Sequence, residues 1–179
     1  FARKEPGAKV VYDIRSSKVV PEVIEAAGGV ALKSKIGYPF IRSLMRQHDA
    51  ILGGEVSSNY FFRSFFFADS ALFAFLQILM ILAESGKTLK ELVSPFYKYF
   101  SSGEISKKIA DREKAIDKIA AHFNDAEETS YMDGFLARYP DFWFLVRSSN
   151  TEPLLRIVME ANTKEVLDKK LAELLGIID

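Results

Sequence analysis

Cysteine is absent from the 179 residues, and histidine occurs only twice. Without thiols the chain can form neither a disulfide framework nor a thiolate metal site, which fits a cytoplasmic protein. His48 and His122 fall on expected helices without the partner spacing of a metal centre or a catalytic triad, so ordinary structural roles are expected for both. Net charge is missing too, because 24 Lys and Arg balance 24 Asp and Glu. That balance offers no general attraction to nucleic acid or to an acidic membrane, and neither is expected as a partner. No Walker loop, dinucleotide-binding glycine motif or HExxH helix occurs. One long apolar run, residues 65–83, invites comparison with a membrane span. Asp69 and Ser70 interrupt it, and the remainder is shorter than the ~20 residues a span needs. A buried helix of a soluble domain is expected there. The chain opens on Phe1, with no initiator Met and no signal peptide, and reads as a segment of a longer protein.

What is present alternates in period. Residues 10–14 (Val-Val-Tyr-Asp-Ile) suit a buried strand, Ser16-Ser17 an N-cap for a helix over 19–27, and Gly28-Gly29 its stop. A weak strand at 30–32, a loop at 33–38, a helix opened by Pro39 and a strand at 50–53 follow. Strand, helix, strand, helix, strand with short connections predicts a layered α/β domain with a mixed sheet over residues 1–100. Loops at the carboxyl ends of such strands are the usual ligand sites, which groups 15–17, 35–38 and 54–59. The aromatic crowd at 60–67 is read as core. Thr88 and Glu91 form a capping box, and the polar stretch Ser101-Ser102-Gly103-Glu104 is the candidate boundary. Beyond it come a possible strand at 104–109, an amphipathic helix at 111–123, strands at 135–139, 142–146 and 154–160, and a last helix capped by Thr163. This predicts a smaller α+β domain over 101–179, an antiparallel sheet with helices on one face.

Two loops carry chemistry. Residues 147–153 read Arg-Ser-Ser-Asn-Thr-Glu-Pro between two apolar runs. A guanidinium fork flanked by hydroxyl and backbone donors on a rigid mount is what a doubly charged phosphate asks for. On chemistry alone a polar turn whose side chains bond only their own backbone remains open. Residues 53–59 read Gly-Gly-Glu-Val-Ser-Ser-Asn. A carboxylate and hydroxyls spaced two apart can bind vicinal sugar hydroxyls, or the segment is a glycine-led turn with Glu55 solvated. Arg15, Lys35 and Tyr38 follow expected strands and would add charge and a phenol to the same rim.

Residues 54–62 followed by the Arg147–Pro153 motif resemble the α-D-phosphohexomutase family, and in particular its phosphomannomutase/phosphoglucomutase branch. The resemblance covers nearly the whole chain, which looks like the third and fourth of the family's four domains. It implies that Glu55 and Ser57, with Asn59 beside them, bind sugar hydroxyls. It further implies that Arg147, Ser149, Asn150 and Thr151 bind the phosphate that is not reacting. Arg15 and Lys35-Ile36-Gly37-Tyr38 align with a basic residue and a Lys-x-Gly-His segment of the family. The sequence departs from the family where Tyr38 and Asn59 stand at positions that often hold His, and where Val56 replaces Met. Neither the phosphoserine loop nor the aspartate-rich Mg²⁺ loop of the family's first two domains occurs here. The resemblance therefore implies a parent that interconverts hexose 1- and 6-phosphates with Mg²⁺ held outside this chain, missing N-terminal domains of the same protein as partner, and an inert fragment. Two other readings stand beside it: a stand-alone sugar-phosphate binding module, and a structural protein assembled through the helix at 69–84.

Overall fold

Strand β1 (Lys9–Asp13) forms where the run Val10-Val11-Tyr12 can be covered from both sides, and all three residues are buried. The computed structural model describes residues 5–149 and 151–178. They fall into two compact units, dividing between Tyr97 and Lys98.

In the first unit, α1 (Val19–Ala26) leads from β1 to β2 (Val30–Ser34), and α2 (Tyr38–His48) leads on to β3 (Leu52–Gly54). Both β2 and β3 pair parallel with β1, on opposite sides of it. Strands β4 (Tyr60–Phe62) and β5 (Ala68–Asp69) then extend the sheet antiparallel, giving the order β2-β1-β3-β4-β5. The sheet is mixed, as expected. Ile24 and Val20 of α1 pack with Val10, Tyr12 and Ile51 on one face. Ile41 and Met45 of α2 pack with Val11 and Phe61 on the other. Gly53 lets α2 approach, since a Cβ there would meet Met45 Sδ at 2.5 Å and Ile41 Cγ2 at 2.9 Å. Helix α1 has no side-chain N-cap at Lys18, although Ser17 Oγ accepts from the Val19 amide at 3.2 Å.

Two expectations for this unit are corrected. Helix α3 (Ala71–Ser85) is capped by Ser70, whose Oγ accepts from the Phe73 amide at 3.1 Å, but none of its residues is buried. Leu72, Phe75, Leu76, Ile78, Leu79, Met80 and Ile81 are exposed. The helix is apolar all round, so a single domain face can cover only one stripe of it, here half-burying Phe73, Ala74, Gln77 and Leu82. No single helix among the described residues is long and apolar enough to cross a membrane; α3 meets that test only jointly with residues Leu89–Phe96, across a 98° bend. The aromatic crowd also divides. Phe61 and Phe62 are core, whereas Tyr60 and Phe65 are exposed and Phe66, at positive φ, is 82% exposed. Helix α4 (Leu89–Val93) carries the capping box of Thr88 and Glu91.

The second unit is an antiparallel sheet in the order β6-β10-β9-β8-β7, with two helices. Its elements are β6 (Phe100–Lys108), α5 (Arg112–His122), β7 (Glu128–Ser130), β8 (Phe135–Arg138), β9 (Phe142–Ser148), β10 (Leu154–Ala161) and α6 (Lys164–Ile178). Ser101, Ser102 and Gly103 lie inside β6, where sequence reading places a break. Met159 of β10 donates its amide to Ser102 Oγ at 2.9 Å, so the ladder absorbs the polar residues. Strand β7 lies in a stretch too acidic and polar to show a strand period. Alternate residues Phe142, Phe144 and Val146, with Leu155, Ile157 and Met159, face Ile119, Phe123, Leu167 and Leu174 of the two helices. The same alternation turns Arg147 and Arg156 to the other face of the sheet.

Gly134, at φ +87°, sits against the backbone of β9: a Cβ there would lie 2.3 Å from the Val146 carbonyl and 2.8 Å from the Arg147 Cα. We expect Gly134→Ala to destabilise the protein by about 3 kcal/mol, from left-handed strain plus a backbone clash. Gly176→Ala, in α6 with open space around it, should instead stabilise by about 0.5 kcal/mol. Urea unfolding measures both, and equal effects would contradict the difference in packing.

Helices α5 and α6 are also tied by His122 Nε2 and Glu173 Oε1 at 2.9 Å, with Lys170 Nζ 3.0 Å from Glu173 Oε2. The bond to His122, and then the one to Lys170, holds the Glu173 carboxyl below its ordinary 4.5. A carboxylate depressed in the folded state stabilises it above the unfolded pKa, and that contribution is lost as pH falls through the folded one. Glu173→Gln should therefore lower thermal stability at neutral pH and reduce its loss below about pH 4.5. Melting curves of both proteins from pH 3 to 7 that run parallel would refute this.

Candidate functional site

The first cluster is built at the carboxyl ends of β1, β2 and β3, and its organiser is Asp13. This carboxylate ends β1 with no exposed surface. Oδ1 accepts from the Arg15 amide at 2.8 Å and from Arg15 Nε at 3.3 Å. Oδ2 accepts from Arg15 Nη2 at 2.8 Å and from the Val56 amide at 2.9 Å. One residue thus orients the Arg15 guanidinium and fastens the loop after β3. Such a buried charge is tolerable only when paired and hydrogen-bonded.

Glu55, 7% exposed, makes the second tie. Its Oε1 accepts from the Gly37 amide at 3.0 Å, reaching the loop after β2, and its Oε2 accepts from Asn59 Nδ2 at 3.0 Å. Asn59 Nδ2 also lies 3.3 Å from Ser57 Oγ. The turn between is closed by the Glu55 amide donating to the Asn59 carbonyl at 3.0 Å, with Ser58 at φ +68°. Each carboxylate oxygen of Glu55 has a second lone pair, so it can accept a further donor beside the hydroxyl of Ser57 and the amide of Asn59. Glu55 is thus buried and bonded within the loops rather than solvated.

The structure brings Arg15, Glu55, Ser57 and Asn59 together with the 35–38 segment. Gly37 is the N-cap of α2 at φ +122°, and Pro39 falls in the first turn. Lys35 is exposed with its Nζ 5.7 Å from the Phe40 ring centre, and Tyr38 packs on Phe61 with ring centres 5.2 Å apart.

The second cluster is the turn between β9 and β10. Arg147 is 7% exposed and sits within the β9–β10 ladder, directly opposite Arg156. Its Nη2 lies 3.7 Å from Glu104 Oε2. Ser149 is buried, donates its amide to the Leu154 carbonyl at 2.9 Å, and accepts at Oγ from the Thr151 amide at 3.4 Å. The hydroxyls of Ser149 and Thr151 are 3.5 Å apart. Asn150 lies outside the described residues. Arg112, from the start of α5, donates Nη1 to the Glu152 carbonyl at 3.1 Å and adds a cation at the loop's edge. An arginine on a rigid ladder with two hydroxyls a few residues on can grip a tetrahedral anion bidentately.

Sequence reading missed Asp13, Glu104, Arg112, Arg156 and Gly134 as supports of these loops. Asp13 had a signal: a carboxylate inside an otherwise apolar run needs a cation, and Arg15 stands two residues away. Glu104 and Arg156 had none, because their meeting depends on cross-strand register, and neither did Arg112, which reaches the Glu152 carbonyl from the start of a helix 40 residues away in the chain.

The paired folds are those of phosphohexomutase C-terminal domains. Residues 1–100 match the family model for phosphoglucomutase/phosphomannomutase, alpha/beta/alpha domain III, and residues 104–176 match that for the C-terminal domain of the same proteins. The chain belongs to the phosphoglucomutase/phosphomannomutase family. It is 40% identical over 176 residues to a phosphomannomutase of Methanocaldococcus jannaschii, covering 98% of this chain and 39% of that protein. It is 38% identical over 178 residues to an Escherichia coli K12 phosphomannomutase, covering 93% and 39%. A crystal structure of a phosphoglucomutase/phosphomannomutase family protein from Burkholderia thailandensis superposes with TM-score 0.85 at 28% identity, over 98% of this chain and 38% of that one. Aspergillus fumigatus N-acetylphosphoglucosamine mutase, solved with GlcNAc-6P and magnesium, shares the fold at TM-score 0.70 and 15% identity, over 96% and 38%. The chain therefore spans about 39% of the length of the curated relatives it matches.

Removing Asp13 would leave Arg15 and the Val56 amide without their shared acceptor in a buried site. Asp13→Ala is expected to cost about 3 kcal/mol in urea unfolding. It should also increase amide hydrogen exchange at 54–59 more than at β6–β10. Uniform exchange across both units would refute the tether.

Proposed function

We propose that this chain is the recognition part of a phosphohexomutase whose parent interconverts hexose 1-phosphate and hexose 6-phosphate. The observation that carries the proposal is the pairing, in one chain, of a buried carboxylate–hydroxyl loop at Glu55–Asn59 with a ladder-mounted arginine–hydroxyl turn at 147–153. Glu55 and Ser57, with Asn59, accept and donate to the sugar hydroxyls. Arg147, Ser149, Asn150 and Thr151 hold the phosphate that is not reacting. Arg15, Lys35 and Tyr38 line the rim of the sugar loop.

In the parent, a phosphoserine outside this chain gives its phosphoryl group to the sugar phosphate. The resulting bisphosphate turns round, and its other phosphate returns to the serine. Positioning is then the chief task of the part described here, since phosphoryl transfer relies on alignment and charge stabilisation. A grip that must accept either phosphate of the reoriented sugar is better served by fixed donors than by a pocket fitted to one sugar. Among the described residues no group of three or more His, Cys, Asp or Glu could hold the family's Mg²⁺. No step through the metal is assigned to these residues.

The binding test is calorimetric titration of glucose 1-phosphate and mannose 6-phosphate into this chain. Arg147→Ala should weaken both by about tenfold or more, the loss expected for a charge-assisted hydrogen-bonding pair. Unchanged affinity would reject the phosphate assignment. Mutase turnover by the purified chain alone would reject its role as a recognition part without the reacting serine.

A further inference from the structure

Arg147 and Arg156 are directly opposite one another in the antiparallel β9–β10 pair, and both point to the face away from the helices. Like charges directly opposite in an antiparallel pair repel, and burial of Arg147 deepens the penalty. Glu104 lies on the next strand, β6, opposite Val158 and so diagonal to Arg156. Its carboxylate spans both cations: Oε1 accepts from Arg156 Nη1 at 2.6 Å, and Oε2 stands 3.7 Å from Arg147 Nη2. Arg156 is held a second time, by Glu152 Oε2 at 3.1 Å from its Nη2, and Glu152 belongs to the 147–153 turn itself. The two distances to Glu104 are unequal. Arg156 is bonded, whereas Arg147 is within ion-pair reach but beyond an ordinary hydrogen bond.

We propose that Glu104 is a built-in counter-anion for Arg147 and Arg156, occupying the charge of the phosphate grip until a phosphate dianion arrives and then yielding Arg147 to it. The inference rests on the assignment of Arg147 to phosphate. Glu104 is a positioning residue: it touches no substrate and acts through the two guanidiniums. Its carboxylate holds Arg147 aligned in the empty site and keeps two facing cations from repelling. The same negative charge opposes the incoming dianion, so the affinity of the grip is set below what its donors alone would give. That suits a site from which a bisphosphate must depart and return in the opposite orientation.

Glu104→Gln keeps the shape and an acceptor oxygen but removes the charge. Two readouts should move in opposite directions. Without ligand, the variant should melt at a lower temperature than wild type, because two facing arginines have lost their shared counter-charge. Titrated with inorganic phosphate, and separately with glucose 1-phosphate, it should bind about two- to fivefold more tightly, the range that a partly exposed ion pair supports. A carboxylate that merely held β6 against β10 would give unchanged or weaker binding on removal, and that result overturns the proposal. Arg147→Ala titrated in parallel separates the two ideas. If it abolishes binding while Glu104→Gln fails to tighten it, only the counter-anion role falls. If it binds as wild type does, the phosphate assignment falls and takes the counter-anion role with it.

Discussion

A carboxylate with no exposed surface must be answered by donors, and the answer to Asp13 organises the first unit. Its four hydrogen bonds run to three groups: the backbone and guanidinium of Arg15 and the amide of Val56. The first two stiffen the turn that leaves β1, and the last anchors the turn that leaves β3. Glu55 then carries the constraint to the loop after β2 through the Gly37 amide. Three loops that would each be mobile alone become one framework, because each tie is made by a buried acceptor whose loss would be costly. The hydroxyl and amide groups at Ser57 and Asn59 inherit that rigidity.

The second unit reaches rigidity by another route. Arg147 is a residue of the β9–β10 ladder, so its backbone is fixed by pairing and only its side chain remains to be ordered. Gly134 lies against Val146 and Arg147 so closely that any side chain there would clash with their backbone. The turn beyond is closed by Ser149 and Leu154. Ladder pairing and turn closure both hold the Arg147 backbone in place independently of anything bound.

Much of this was legible in the chain. The βαβαβ order showed in the change of period between 10–14 and 19–27, and the β9–β10 hairpin in two alternating runs around a polar turn. Arg147, Ser149 and Thr151 stood out because an arginine and hydroxyls between such runs have few uses, and Glu55 because a carboxylate follows two glycines. What could not be read depends on distance through space. Glu104 and Arg156 become neighbours only once β6 is in register with β10, and strand β7 is too polar to announce itself. Helix α3 misled for a different reason: hydrophobicity counts the surface a helix could bury but does not say that another layer is present to bury it.

The exposed flank of α3 has a consequence for how this chain behaves at high concentration. Zero formal charge leaves little long-range repulsion to hold molecules apart. Contacts between such flanks would gain nothing from dilution of salt and would be strengthened by sulfate or phosphate, which are excluded from protein surface and favour apolar burial. Buffer composition therefore acts on this molecule through its surface: sulfate and phosphate are salts that drive such apolar flanks together.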